Sequence, residues 1–535
     1  MKVAVERIDH LGLIAGKMKE LGLVSIIDKL LGQNKQEKVS NGYAVLAMVL
    51  NGLGFVDRPL TLISQFYENK ALDLLLYPGI KSEYLNHHRL GRVLDNISDF
   101  GCEKFFDSIA MQICMLEGVD CSDLHGDTTT YSVHGKYEKT DDEQEISITY
   151  GYSKDMRKDL KQVVVELVSA RDGGIPLATK MWSGNTSDSK ILTARAKNLV
   201  ELFKQSKETH CFVADSKVYS QENATNLLRI NFITRIPSTI KLENELIEKA
   251  IVKDDWQVLD EKNKFHEFHV QHLGIEQRWI VVHSEAALNR TKLTLERNIK
   301  SEGEELDKRL FHLQAHRFAC EADAVTELKK VEKEFHLYKL KSHNIIEHKC
   351  YKTAGRPSNN TAGFTYQMNA SFEANELTRK KRLEQRSCFV IGTNISAEKL
   401  SATQVVAGYK QQDKVEKGFA FLKSPSFFAS SVFLKNVNRI QALLTVMVLA
   451  LLAYTIVQRA IRRQLAIQGL TIPNQIRQPI NRPTLKWIFR CFEGVNYVKI
   501  EIDNVVQAFI EGLNELRIKI IKLLGTETQM IYKIP

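Results

Sequence analysis

The sequence predicts an α/β protein: a mixed sheet flanked by helices, interrupted by a mostly β insertion and preceded by an all-helical N-terminal domain. Three observations predict it. Residues 1–115 carry apolar positions at helical spacing, as in "LVSIIDKLLG" and "YAVLAMVLNGLGF". Between about 119 and 237, strand-like runs come first, and helix and strand then alternate. From about 238 to 387 the pattern loosens into strand-like stretches around one long charged segment, after which strand and helix resume. At 535 residues the chain is too long for a single compact unit.

The elements follow in order. The N-terminal bundle, residues 1–115, shows no chemistry of its own and suits DNA-end binding or dimerisation. In the first core segment, 116–237, "VDCSDLHGDTTTYSV" reads as a strand ending near an aspartate. "ISITYGYS" and "LKQVVVELVSARDGGIPLATKMWSG" add three strand-like runs, two of them joined by the Asp172–Gly174 turn signal. A helix at about 189–205, the strand running into "CFVADSKVYS", a helix near 220–229 and the strand "FITRIP" complete it. The insertion, 238–387, reads as antiparallel strands, a long charged helix in "NRTKLTLERNIKSEGEELDKRLFHLQ" and a Gly/Pro/Asn-rich loop. The second core segment, 388–465, opens with the strand "SCFVIGTNI" and a helix whose N-cap is Ser401. Residues 466–535 read as a C-terminal helical region.

Charge and composition narrow the function classes. A net charge of +10 and a pI near 8.9 suit a polyanionic partner. The eight cysteines form no CxxC pair, which argues against a zinc ribbon or disulfide framework and fits a reducing cytosol. The N-terminus lacks the pattern of a secretory signal. "IQALLTVMVLALLAYTIV" has the length of a minimal membrane span, but it stands alone, contains Gln441 and two threonines, and reads as a buried core helix.

The segment "YKQQDKVEKGFAFLKSP" sets Tyr409, Glu416 and Lys423 seven residues apart, which on one continuous helix is a single stripe. A tyrosine, a carboxylate and an ammonium group do not make a core face. Asp127 in "LHGDTTT" and Asp215 in "FVADSKV" stand at or near predicted strand ends, where sites on α/β sheets form. Three carboxylates from two strands and a helix can hold two divalent cations for in-line phosphoryl transfer, and oxygen donors suit Mg²⁺. Singly, each has a plainer reading: an Asp beside Thr or Ser caps a helix or makes a turn, and a Glu amid lysines is a solvated charge.

These motifs together resemble the DDE transposases of bacterial insertion sequences, in the branch with the signature Y-x2-R-x3-E-x6-K. Tyr409, Glu416 and Lys423 match three of its four positions, and Gln412 stands where the signature has arginine. "HGDTTTY" and "ADSKVYS" resemble the two aspartate motifs, "ITYGYSKDMRKDLKQVVV" and "GIPLATKMWSGNTSDS" the stretches between them, and "HLGLIAGKMKELGLVSIID" the N-terminus of one subgroup. The resemblance implies a ribonuclease-H-like core with Asp127, Asp215 and Glu416 as catalytic metal ligands, two Mg²⁺ ions (Mn²⁺ as a substitute) per site, and cleavage and strand transfer at terminal inverted repeats. It further implies double-stranded DNA as partner, a homodimer in the DNA complex, no membrane, and a bacterial, nucleoid-associated cytoplasmic location. The competing readings are a nuclease of the same core without strand transfer, and an inactive DNA-binding derivative.

Further DNA-contact candidates are Tyr409, Gln412 and Lys423, the run Arg379, Lys380, Lys381 and Arg382, and Trp256 and Trp279 as base-stacking rings. Each has a bland alternative: a solvated helix edge for the charges, a core position for the tryptophans. Gln412 can hydrogen-bond a phosphate but supplies no cationic fork. His125 reads as a structural imidazole. Asp123 and Asp188 are the carboxylates most easily mistaken for a catalytic ligand, Asp188 beginning a helix after the "GNTS" turn.

Overall fold

The computed structural model describes all residues except 1, 35, 57, 136, 138–145, 155, 205–210, 352–360, 413–417, 419–433, 435, 504 and 535, and the backbone alone at 201–204, 351, 361 and 362. The chain divides into two compact units: residues 1–234 with 407–535, and residues 235–406.

The first unit begins with a strand, β1 (Lys2–Arg7), rather than the helix expected there. Helices follow from Leu11 to Glu117, and then β2 (Asp123–Val133), β3 (Lys161–Ala170), β4 (Pro176–Ser183), β5 (Cys211–Ala214) and β6 (Asn231–Arg235) form a sheet in the order β4-β3-β2-β5-β6. β3 is antiparallel to both β2 and β4, whereas β5 runs parallel to β2 and β6 parallel to β5. The sheet is therefore mixed, as expected. "ISITYGYS" is not a strand: it contributes only a bridge from Thr149 to Gln162. Its glycine explains the close packing there. A Cβ on Gly151 would stand 2.1 Å from the Gly184 carbonyl, and one on Gly184 would stand 2.1 Å from the Gln162 carbonyl.

The β3–β4 turn uses Gly173 and Gly174 at positive φ (82° and 68°), which glycine adopts without strain. The helix Asp188–Lys204 crosses from β4 to β5. The apolar segment 440–457 lies within one helix, Val437–Ile467, with 83% of its most apolar window buried in protein. It packs against the N-terminal helices and the sheet face formed by Tyr131, Val133, Val163, Val165 and Leu167. That is the core helix of a globular unit.

The second unit holds β7 (Gln257–Asp260), β8 (Asn263–His272), β9 (Ile275–Ser284) and β12 (Cys388–Thr393) in the order β12-β9-β8-β7, and a long hairpin, β10 (Tyr338–Tyr351) with β11 (Thr361–Ala374). Its charged helix runs Glu285–Ala315. The unit takes in β12 and the start of the helix Ala402–Lys410, elements that the sequence reading assigns to the second core segment. Ser401 caps that helix in a reciprocal box: its hydroxyl accepts from Gln404 N (3.3 Å) while Gln404 Oε1 accepts from Ser401 N (2.9 Å).

Back in the first unit, β13 (Ile472–Pro473) and β14 (Pro479–Ile480) form a small ribbon, and β15 (Asn496–Ile502) and β16 (Val505–Glu511) complete a three-stranded sheet with β1. The C-terminal region is thus not wholly helical. It closes on the N-terminus, where the buried Tyr532 hydroxyl donates to Asp9 O (2.5 Å) and Asp9 Oδ1 accepts from Gly494 N (2.9 Å).

Candidate active site

The parallel β2–β5 pairing ends at Gly126 opposite Ala214, so Asp127 on β2 and Asp215, just past the end of β5, are the next residues along two neighbouring strands. Asp127 is not at the end of its own strand. β2 continues to Val133 against β3, and what stops is its parallel neighbour. Gly126 is required beside it, since a Cβ there would stand 2.7 Å from the Phe212 ring. After Ala214 the backbone turns at Asp215, whose Oδ1 accepts from Ser216 N (2.6 Å) and caps the short helix Ser216–Val218. Asp127 Oδ1 accepts likewise from Thr128 N (2.7 Å).

Two lysines and a third aspartate surround the pair. Lys154 Nζ stands 3.8 Å from Asp127 Oδ1 and 3.5 Å from Asp188 Oδ2, and donates to the Thr128 hydroxyl (2.8 Å) and carbonyl. Lys217 Nζ donates to Asp188, and the Thr128 hydroxyl donates to Asp188 Oδ1 (2.6 Å). Burial pushes the Asp127 carboxyl above its ordinary range against the pull of Lys154 and the Thr128 N–H, and the charges of Asp215 and Asp188 push the same way. For Asp188, burial is outweighed by Lys217, the Thr128 hydroxyl and Lys154, which hold its carboxyl below the ordinary value. Burial likewise disfavours the Lys217 cation, but Asp188, Asp215 and Asp127 outweigh it and raise its pKa. Asp188 is therefore saturated with cations and hydrogen bonds, whereas Asp127 is a carboxylate short of positive charge.

The third expected ligand, Glu416, and Lys423 lie outside the described residues. On either side of residues 413–417 the chain is tied to the β2–β3 region. Gln411 Oε1 accepts from Arg171 Nε (3.1 Å), and Arg171 pairs with Asp123 (2.8 Å). Gly418 lies against Leu167 and Leu451, where a Cβ would meet their side chains at 3.6 and 3.3 Å. Leu167 is the cross-strand partner of Asp127, so the two side chains share a sheet face. The helix Ala402–Lys410 ends before this segment, its last bonds tightening to Gly408 O–Gln411 N and Tyr409 O–Gln412 N. The single uninterrupted helix expected from Ser401 onward is corrected accordingly.

The remaining candidates scatter. Tyr409 is half-buried in the last turn of that helix, and Gln412 is buried, with 8% of its surface exposed. Asp123 is committed to Arg171, and His125 is buried. Arg379 is turned inward: Nε donates to Leu337 O (3.1 Å) and the guanidinium covers the Tyr338 ring. Lys380 and Lys381 are exposed, paired with Glu384 (3.9 Å) and Glu248 (2.9 Å), and Arg382 is half-exposed. Trp256 is partly exposed beneath Lys264. Trp279 is fully buried with Nε1 bonded to Gln277 (2.9 Å), so its reading as a base-stacking ring is corrected to a core residue. Reading the sequence for acids alone missed Lys154 and Lys217, although Lys217 stands two residues after Asp215 in "ADSK".

Asp127 and Asp215 offer oxygen donors only, which fits a hard divalent cation, and the charge deficit at Asp127 favours one. Among the described residues no group of three or more His, Cys, Asp or Glu side chains is arranged to hold an ion. The described part of the site is a pair.

Comparison with known proteins agrees with this chemistry. No curated protein matches the chain. A cryo-EM structure of a piggyBac transposase synaptic complex with hairpin DNA aligns over 100% of this chain and 85% of its own at 10% identity, with a TM-score of 0.39, a likeness too distant to carry fold or function. Residues 3–111 match a domain of unknown function (DUF4277). Residues 127–453, more than half of the chain, match the transposase DDE domain, and the chain belongs to that family.

Proposed function

We propose that the protein is an insertion-sequence transposase, of the branch signed by Tyr409, Glu416 and Lys423, that cleaves DNA at terminal inverted repeats and joins the freed ends to target DNA. The observation that carries this reading is the parallel β2–β5 register that makes Asp127 and Asp215 neighbours. The strand order β4-β3-β2-β5-β6, with three antiparallel strands followed by two parallel ones, supports a ribonuclease-H-like core. The Gln411 and Gly418 contacts support Glu416 as the third ligand on the Asp127 face.

In this reading Asp127, Asp215 and Glu416 hold the divalent ions. Two bound Mg²⁺ ions supply activation of a water or 3′-hydroxyl and stabilisation of the leaving oxygen. The chain's own work is positional. β2 holds Asp127 within its backbone ladder and β5 delivers Asp215 one residue past its last pair, and the Thr128 and Ser216 N–H groups orient their carboxylates. Asp188 draws Lys217 to itself and shares Lys154 with Asp127, holding one cation away from the pair and leaving the other at its edge. Double-stranded DNA is the substrate, a homodimer brings two ends together, and the setting is the bacterial nucleoid.

A strand-transfer assay tests this. With a duplex carrying the inverted repeats that flank the gene, Mg²⁺ and a supercoiled target, joined products are expected. Cleavage without joined product would replace the reading with a nuclease, and binding without cleavage would replace it with an inactive derivative.

A further inference from the structure

On the first unit, a cleft of about 920 Å³ lies between the C-terminal half of the core helix and the loop before Thr484. Arg459, Arg462 and Arg463 line it from the helix and Arg482 from the loop; Gly173, Gly174 and Gly418 add bare backbone, and Asp172, Leu451 and Tyr454 also line it. We propose that this cleft binds the phosphate backbone of a DNA duplex, a second contact beyond the carboxylate site; the proposal rests on the reading that DNA is the substrate.

The four arginines divide into a base and a working surface. Arg459 is fixed: it donates to Asp172 (2.9 and 2.6 Å) and to Glu117 O and Gly118 O. Arg462 spends only Nε, on Pro483 O (2.7 Å), and Arg463 spends Nη1 on Glu117 O (3.2 Å). Among the described residues, Arg462, Arg463 and Arg482 make no ion pair with a carboxylate. Arg462 is half-buried, and burial together with the neighbouring Arg482 charge lowers its pKa. Holding like charges together without a counter-ion is unfavourable in the free protein, and a polyanion removes that cost.

The sequence around the cleft carries the same bias independently. From residue 417 to 492 there are eleven Lys and Arg and no Asp or Glu, in a chain that holds 64 acidic residues overall. Guanidinium groups beside glycine backbone suit close approach of a phosphodiester strand. Gly418 ties the cleft to the site, since it also lies against Leu167, the cross-strand partner of Asp127.

The test is a salt titration of duplex binding by fluorescence anisotropy, using the full chain and a random-sequence DNA duplex. Arg462→Ala/Arg482→Ala is expected to weaken binding at least tenfold at low salt. It should also flatten the slope of log K against log[salt] by about 1–2, one per lost phosphate contact. Arg462→Lys/Arg482→Lys, which keeps the charge, should retain most of the slope and thereby exclude misfolding as the cause. An alanine variant with unchanged affinity and slope overturns the proposal, as does loss of inorganic-phosphate binding without any change in the duplex titration. A wild-type chain that binds duplex through these arginines but never cleaves a duplex carrying the flanking inverted repeats would overturn the transposase reading and leave the cleft standing.

Discussion

Replacing Arg195 by methionine strips Glu166 of its closest partner. Glu166 lies on β3 directly across from Thr128, one residue from Asp127, and is 1% exposed. Its carboxylate accepts from Arg195 Nε (2.5 Å) and Trp182 Nε1 (2.9 Å). R195M therefore leaves a buried carboxylate with a single neutral donor, and removing one partner of a buried pair costs about 3–5 kcal/mol. Changing both partners, in Glu166→Met/Arg195→Met, removes the stranded charge and leaves the Trp182 N–H without an acceptor, a penalty of about 1–3 kcal/mol; the loss of Arg195 from Glu103 and Asp107 is common to both variants and cancels in the comparison. The double variant should thus recover about 1–2 kcal/mol of what the single one loses. Urea unfolding followed by tryptophan fluorescence reads both, with unchanged slope against denaturant. An R195M protein within about 0.5 kcal/mol of wild type, or a double variant less stable than the single, would refute the argument that this pair is held by mutual need.

Three further outcomes follow from other parts of the molecule. Burial raises the Asp107 carboxyl to about 7, so the folded state binds a proton that the unfolded state releases near the ordinary value, and the stability this group contributes is lost as pH rises through 7. Asp107→Asn should therefore be more stable than wild type at pH 8, with the gap closing toward pH 5; a pH-independent difference in melting temperature would contradict it. Gly184→Ala forces a Cβ to within 2.1 Å of the Gln162 carbonyl, four residues before Asp188, and should cost several kcal/mol (about 2–4) and suppress cleavage. Wild-type melting in that variant would show the backbone can yield. In the second unit, Arg278 grips Glu267 through two nitrogens (2.7 and 3.1 Å) and donates to Ile395 O and Leu400 O. Lysine cannot reproduce that fork, so Arg278→Lys should raise amide exchange across β8, β9 and β12 by at least tenfold, and unchanged protection would argue against it.

How much of this was legible in the sequence depends on the length scale of the signal. The Asp-Gly-Gly turn, the Ser401 cap and the buried helix over 440–457 are local, and turn chemistry, capping and apolar composition announced them. β1 was invisible because its pairing partner lies at Asn496–Ile502, almost the whole chain away, and no local pattern in Lys2–Arg7 specifies it. "ISITYGYS" alternates like a strand but is spent on a tight approach of Gly151 to Gly184, a tertiary demand that overrode propensity. Motif spacing singled out Asp127 and Asp215, which the β2–β5 pairing makes neighbours, but set Asp127 at or near a strand's end, when what ends there is the neighbouring strand. Trp279 shows the limit of composition: a tryptophan in a strand-rich insertion carries no mark of which face it will take.

The central claim is that Asp127, Asp215 and Glu416 together hold the ions that do the chemistry. Counting bound Mn²⁺ by electron paramagnetic resonance in the DNA complex tests it most directly. Two ions per wild-type site are expected, with at least one lost in each of Asp127→Asn, Asp215→Asn and Glu416→Gln while DNA remains bound. Retention of both ions in any one of these variants would remove that residue from the site and contradict the account.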